Sequence, residues 1–439
     1  MMSVETVLVT GAAGFIGPKV VDLLLKTGYR VIVLDKLTYA ARVKNGEPLS
    51  LKMVLDSLRN EERERYSFLR WDISDPSLPL KDLLEVERVN NIIHMAAESH
   101  VDRSTEGKPD FMQTEIHGTY NLLKAVREQN SGTGHRVRRA VFVSTDEVYG
   151  SIDRIAGYEG GRWYGLSDAE VSDLIEQHQF TEATTLAGGS PYAACKGGAD
   201  LLVGAYFNTF KWDSEIGDID AERMPAIITR GVNNFGPFQH PEKLIPLSIC
   251  TLLMPDVGGN KRRIPIYDKG LAVREWLHTT DYASAIVHTM LHGKVGEVYN
   301  VGSGNRCRNR DLLLAIFRAC EPHIPSTAGF GRLADATFDA TTAGGIARPG
   351  HDLCYAVNCN KIRQLGWQPE YASDFEEKIN QVVTWYVANA EWWKPVWTQP
   401  EFTEYWDRKY RKIQEASESD FFNFYTSDEE NRTLNEALL

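Results

Sequence analysis

Thr10-Gly11-Ala12-Ala13-Gly14-Phe15-Ile16-Gly17 is the stretch on which the reading of this chain turns. It follows the apolar run Val7-Leu8-Val9 and opens a helix-period segment from about Phe15 to Lys26, after which Arg30 to Leu34 is again strand-like. Strand, glycine turn, helix and strand in that order form a βαβ unit. Glycines there permit a tight bend and let a pyrophosphate approach the helix N-terminus, where unpaired N–H groups and the helix dipole favour anions. Gly11, Gly14 and Gly17 are therefore candidate dinucleotide-binding residues. Asp35 closes the second strand, where a carboxylate can accept hydrogen bonds from both hydroxyls of an adenosine ribose and would repel a 2′-phosphate. The expected cofactor is NAD, with the neighbouring Lys36 the residue that could serve a phosphate instead.

Outward from this unit, buried-strand candidates recur at Asn91 to His94, Ala140 to Ser144 and Ala226 to Thr229, separated by helix-period stretches at Gly118 to Glu128 and Ala193 to Tyr206. That alternation predicts an α/β fold with a doubly wound parallel sheet. Past Gly231 the pattern breaks into proline-punctuated pieces, then resumes as a helix from Asp281 to Leu291. The predicted organisation is a nucleotide-binding domain over 1–230 plus about 270–300, a smaller α/β substrate-binding domain over 231–269 and 301–410, and an acidic tail over 411–439. Trp385, Trp392, Trp393, Trp397 and Trp406 are expected to pack on the body.

Composition narrows the function. With 439 residues, 43% hydrophobic and 25% charged, the chain has the make-up of an ordinary globular enzyme. A net charge of −12 argues against a general nucleic-acid binder, which needs a basic face to displace counterions from phosphates. No basic, apolar leader and no run of about 18 apolar residues is read, so no membrane association is expected. Cys195, Cys250, Cys307, Cys320, Cys354 and Cys359 show no CxxC pair, which suits reduced thiols in the cytoplasm. His94, His100 and His351 lack regular spacing with cysteine or carboxylate partners, and no metal is expected.

Two constellations carry chemistry. Tyr192 and Lys196 are four residues apart, so on a helix they share one face, and a lysine cation beside a phenol favours phenolate, a usable base. The stretch from Ser144 to Gly150 ends a buried strand in Thr145-Asp146-Glu147, a hydroxyl and two acids. Ligands in open α/β sheets bind at the carboxyl ends of strands, where two acids can divide the work of acid and base.

With these go Asp35 to Ala40, Ala96-Ala97-Glu98-Ser99-His100-Val101-Asp102-Arg103-Ser104, Ser190-Pro191-Tyr192, Asn233-Asn234-Phe235-Gly236-Pro237, Pro241 to Pro246, Arg274-Glu275-Trp276-Leu277 and Arg348-Pro349-Gly350-His351-Asp352. In these motifs the chain resembles the extended short-chain dehydrogenase/reductase family and, within it, the dTDP-glucose 4,6-dehydratases, from about Thr6 to about Trp397. The resemblance implies a Rossmann-type fold, a homodimer and one enzyme-held NAD recycled through oxidation, loss of water and reduction of a nucleoside-diphosphate hexose. It implies that Tyr192, with Lys196 and Thr145, takes the C4 hydroxyl proton, that Glu147 takes the C5 proton and that Asp146 protonates the leaving C6 hydroxyl. It assigns NAD contacts to Phe15, Ile16, Asp35, Lys36, Leu37, Thr38, Asp72, Ile73, Ala96, Ala97 and Thr114, besides Tyr192 and Lys196. Substrate contacts fall on Ser99, Thr145, Asn233, Lys243, Arg274, Asn309 and Arg348.

Three positions depart from the family pattern: Glu115 stands where asparagine is usual, Ala347 where aspartate is usual, and Cys195 where serine is usual. The stretches 41–65, 151–178 and 211–222 are long, and the second, lying between the acids and Tyr192, could cover the sugar site. Competing readings are a dehydratase, epimerase or decarboxylase acting on a UDP-hexose, and a non-catalytic NAD-binding protein; product analysis separates them.

Overall fold

The computed structural model describes residues 4–105, 110–132, 134–157, 165–210, 224–340 and 352–416. The chain divides into two compact units, the first built from 1–234, 275–305 and 354–372, the second from 235–274, 306–353 and 373–439.

The first unit is a seven-stranded sheet. Its strands are β1 (Thr6–Thr10), β2 (Arg30–Asp35), β3 (Tyr66–Arg70), β4 (Val89–His94), β5 (Arg139–Thr145), β6 (Ala226–Gly231) and β7 (Val298–Val301). They lie in the order β7-β6-β5-β4-β1-β2-β3, every pairing parallel. The order reverses beside β1, which opens a crevice at the carboxyl ends of β1 and β4, where ligands of such sheets bind. Parallel strands covered on both faces read as continuous apolar runs, and β1 and β6 are buried along their whole length. The helices α1 (Gly17–Lys26) and α4 (Thr279–His292) pack together, as do α2 (Thr119–Asn130) and α3 (Pro191–Phe210). Leu8, Ile32, Ile92 and Phe142 of the sheet close on Leu122, Leu123, Val126 and Val203 of α2 and α3 in one core. Each such side chain contributes about 1.5–3 kcal/mol when buried.

Strand and helix positions agree with the sequence reading apart from their ends. The long stretches differ. Residues 41–65 form a small hairpin, Val43–Lys44 with Glu47–Pro48, and two short helices, Leu49–Asp56 and Asn60–Arg63. The stretch 151–178 carries helices Ile152–Ile155 and Asp168–His178. The second of these begins with a capping box in which Ser167 and Glu170 satisfy each other's backbone N–H groups. Phe180, just beyond, stacks on Tyr149 and pairs its backbone with Ala356 and Asn358. Residues 158–164, 211–223 and 341–351 lie outside the described residues, and with them Arg348, Ala347 and His351. So does the acidic tail beyond Ala416.

The second unit is mostly helical. Leu244–Leu253, Asn309–Cys320 and Phe375–Ala388 pack on one another, and Ile264–Ile266 pairs in parallel with Thr337–Asp339. Trp392, Trp393 and Trp397 are fully buried here. The Arg262 guanidinium lies over the rings of Trp397, Trp406 and Phe402 and donates to the Trp397 carbonyl (2.9 Å) and the Thr403 hydroxyl (3.0 Å).

Candidate active site

The turn after β1 is shaped by glycine for two reasons. Gly11 has φ +72°, and a Cβ on it would meet the Ala96 backbone at 2.5 Å; a Cβ on Gly17 would meet Ala12 Cα at 2.3 Å. Gly14 differs, since its Cβ would meet only the Gly11 carbonyl oxygen at 3.7 Å, leaving open space beside the start of α1. That space belongs to a cleft of about 480 Å³ lined by Gly11, Gly14, Asp35, Lys36, Thr38, Ile73, Ala96, Ala97 and Thr114, nine of the residues expected at the cofactor. Leu34, Ala40, Ala41, Trp71 and Glu98 also line it and were not expected there. Glu98 directly follows the Ala96-Ala97 pair, a positional signal that could have found it. Phe15, Ile16, Gly17, Leu37, Asp72, Tyr192 and Lys196 lie outside that lining.

Asp35 is held for recognition. One carboxylate oxygen accepts the Ala13 N–H (2.9 Å) and the other the Leu37 N–H (2.8 Å). Each oxygen keeps a second acceptor site, the number a ribose diol requires. Burial pushes the Asp35 carboxyl above its ordinary range, and the two N–H groups with Lys36 oppose it. The Lys36 ammonium donates to the Thr114 hydroxyl (2.9 Å) and pairs with Asp72 (3.6 Å) and Glu98 (3.7 Å). A lysine occupied by two carboxylates is poorly placed to serve a 2′-phosphate. Glycine turn, open Gly14, acid and cleft together fit an adenosine dinucleotide.

The acids follow at the end of β5. Thr145 caps a short 3-10 helix, Asp146–Tyr149, accepting the Glu147 N–H, while its hydroxyl donates to Asp146 (3.2 Å). Asp146 is buried and Glu147 half-buried. Helix α3 packs against β5, this 3-10 helix and a π-helix over Gln113–Gly118, which brings Tyr192 and Lys196 to the same end of the sheet. The Lys196 ammonium donates to the Val143 carbonyl (3.2 Å) and forms an ion pair with Glu115 (2.8 Å). Tyr192 lies one helical turn before Lys196 on α3 and is buried. Burial pushes that phenol well above its ordinary value, and Glu147, Glu115, Tyr282 and Asp146 push it further.

The other expected residues are placed as follows. Ser99 is exposed beyond β4, and Asn233 follows β6 in the first unit. Lys243 and Asn309 stand at the starts of helices of the second unit, where Arg274 donates to the Val273 and Asp352 carbonyls. Asn233 Oδ1 and Asn309 Oδ1 are buried with no hydrogen-bond partner among the described residues. His94 is structural: its ring nitrogens meet the hydroxyls of Thr10 (2.7 Å) and Thr119 (3.2 Å).

The model of the NAD dependent epimerase/dehydratase family matches residues 7–302. The chain is 36% identical to the dTDP-glucose 4,6-dehydratase of Salmonella typhimurium over 88% of its length and 94% of the relative's. It is similar in structure to the dTDP-glucose 4,6-dehydratase of Streptomyces venezuelae solved with NAD bound, with a TM-score of 0.67 and 36% identity over 89% of this chain and 100% of that one. The Bacillus anthracis dTDP-glucose 4,6-dehydratase in complex with NAD aligns with a TM-score of 0.66 and 32% identity over 89% of this chain and 99% of that one.

Proposed function

The chain belongs to the NAD dependent epimerase/dehydratase family, and on that premise we propose that it is an NAD-dependent dTDP-glucose 4,6-dehydratase, converting the nucleotide sugar to its 4-keto-6-deoxy derivative and water. The observation that carries this reading is the Thr145-Asp146-Glu147 triplet at the carboxyl end of β5, with Tyr192 and Lys196 on the adjoining helix, in a chain alike over 88% of its length to an enzyme of that name.

Asp35, Lys36, Thr38, Ile73, Ala96, Ala97 and Thr114 would hold the dinucleotide, with the turn through Gly11 and Gly14 under its pyrophosphate; Phe15, Ile16, Gly17, Leu37 and Asp72, outside the cleft lining, are proposed as further contacts. Bound NAD supplies a hydride acceptor for C4 and the hydride that later reduces C6. Tyr192, supported by Thr145 and Lys196, accepts the C4 hydroxyl proton. The resulting C4 ketone acidifies the C5 hydrogen, which Glu147 removes. Asp146 gives a proton to the C6 hydroxyl, and water departs to leave a C5–C6 double bond; with hydride added at C6, C5 takes a proton back, which completes the 4-keto-6-deoxy sugar. The buried Oδ1 atoms of Asn233 and Asn309 offer acceptors to sugar or base donors, and Lys243 and Arg274, with Arg348, supply charge for the diphosphate. Ser99 completes the substrate set.

The substrate is thus a nucleoside-diphosphate sugar. A homodimer is the assembly we assign, supported by the exposed apolar side chains Tyr120 on α2, Leu201 on α3 and Met112 at the end of the short helix Asp110–Met112 that packs on α3. All six cysteines are free, which suits the cytoplasm. Among the described residues no helix is long and apolar enough to cross a membrane. The deciding experiment is mass spectrometry of the protein incubated with NAD and either dTDP-glucose or UDP-glucose. Loss of one water from the dTDP sugar is expected; loss from UDP-glucose alone would reassign the nucleotide, and no product from either would overturn the reading.

A further inference from the structure

We propose that Glu115 is a positioning residue for the reaction, its carboxylate holding the Lys196 ammonium in a buried ion pair and thereby raising the pH at which Tyr192 acts as base. The proposal rests on the dehydratase reading for the identity of that base.

Glu115 lies in the π-helix Gln113–Gly118 and is 1% exposed. A π-helix is rare, and such turns are frequent at functional sites. Here it buries two successive polar residues, Thr114 toward Lys36 and Glu115 toward Lys196. One Glu115 oxygen is 2.8 Å from the Lys196 ammonium, and the other accepts the Glu98 N–H at 3.0 Å. The ammonium also donates to the Val143 carbonyl, so it is fixed between β5 and the π-helix. A cation with an anion at contact distance, both out of water, exerts a much weaker field on a third group than the cation alone would.

The remaining charged and titratable groups around the trio do not restore that field. Toward Tyr192 face Glu147 and Asp146 from the 3-10 helix and Tyr282 from α4, all of which disfavour the phenolate. His94 on β4 faces Lys196 and stays neutral, and Asp200 on α3 is paired with Arg230 at 2.8 Å. Lys36, from the end of β2, is the other cation acting on Glu115, and Cys195 is the neighbouring thiol on α3. Burial pushes the Glu115 carboxyl upward, while Lys196 and the Glu98 N–H act against it and favour the charged form. A neutral amide at this position would leave the lysine charge uncompensated.

The test compares the wild-type holoenzyme with Glu115→Gln and Glu115→Asn, which remove the charge, and Glu115→Asp, which keeps it. The acidic limb of the pH–rate profile for C4 oxidation is expected to move down by about one to two pH units in the neutral variants. Glu115→Asp is expected to stay near wild type. In parallel, the tyrosinate absorbance of each NAD-loaded protein, taken as the difference from its Tyr192→Phe counterpart, should shift to lower pH by the same amount. An unmoved limb and an unmoved tyrosinate titration in the folded, NAD-binding neutral variants would overturn the proposal, as would an equal shift in Glu115→Asp. If the wild type turns over no nucleotide sugar, the dehydratase reading fails, while the tyrosinate titration still decides the role of Glu115.

Discussion

Glu147 and Tyr192 are separable because their proposed tasks fall at different carbons of the sugar. Glu147→Gln is expected to retain NAD and substrate binding and C4 oxidation but to lose exchange of the C5 proton with deuterated solvent, with turnover down about 100- to 10,000-fold. Tyr192→Phe is expected to suppress the first oxidation, read as loss of the transient reduced-cofactor absorbance; full activity in either variant would refute its role. A third residue governs acid sensitivity. Burial, and secondarily Lys196, holds His94 down at about 3, against an unfolded value near 6.5. The unfolded chain therefore binds a proton in this window that the folded one refuses. Stability contributed by neutral His94 is complete above the unfolded value and lost as pH falls toward 3, by up to about 1.4 kcal/mol per pH unit. Urea titrations between pH 7 and 4 should show this slope, and His94→Gln should flatten it.

At the scale of elements, the β1 turn and α1 act together, and its glycines do different jobs. A side chain at Gly17 would enter Ala12, so Gly17→Ala is expected to destabilise the fold by about 1–3 kcal/mol, visible as a lower melting temperature. Gly14→Ala should leave melting unchanged and weaken NAD binding in calorimetry, because its methyl points into the cleft. Equal melting losses in both would show that the turn has no separate ligand face. The βαβ unit was legible in the sequence because its signals are local: apolar runs, glycine spacing and a terminal acid. The Gln113–Gly118 π-helix, which packs against Ile73 and α3, was not, since nothing in that composition separates π from α winding. The helix Asp168–His178 was missed although its Ser167–Glu170 capping box was readable.

On the scale of the whole molecule, the second unit depends on a buried cation. Arg262→Ala would remove a side chain enclosed by Trp397, Phe402 and Trp406 and leave the Trp397 carbonyl without this donor. A loss of about 2–4 kcal/mol is expected, with hydrogen exchange accelerated first in the helices Ala390–Thr398 and Pro400–Trp406. Unchanged exchange there would show that the aromatic packing holds without the arginine. By itself the sequence determined the strand-helix alternation, the dinucleotide turn, Asp35 and the Tyr192–Lys196 spacing, because each depends on residues a few positions apart. Only the tertiary structure decided which charges meet: Lys36 with Asp72 and Glu98, Arg262 with its aromatic cage, and Lys196 with Glu115. Their electrostatics depend on distance through space and on exclusion of water, and neither exists until the chain has folded.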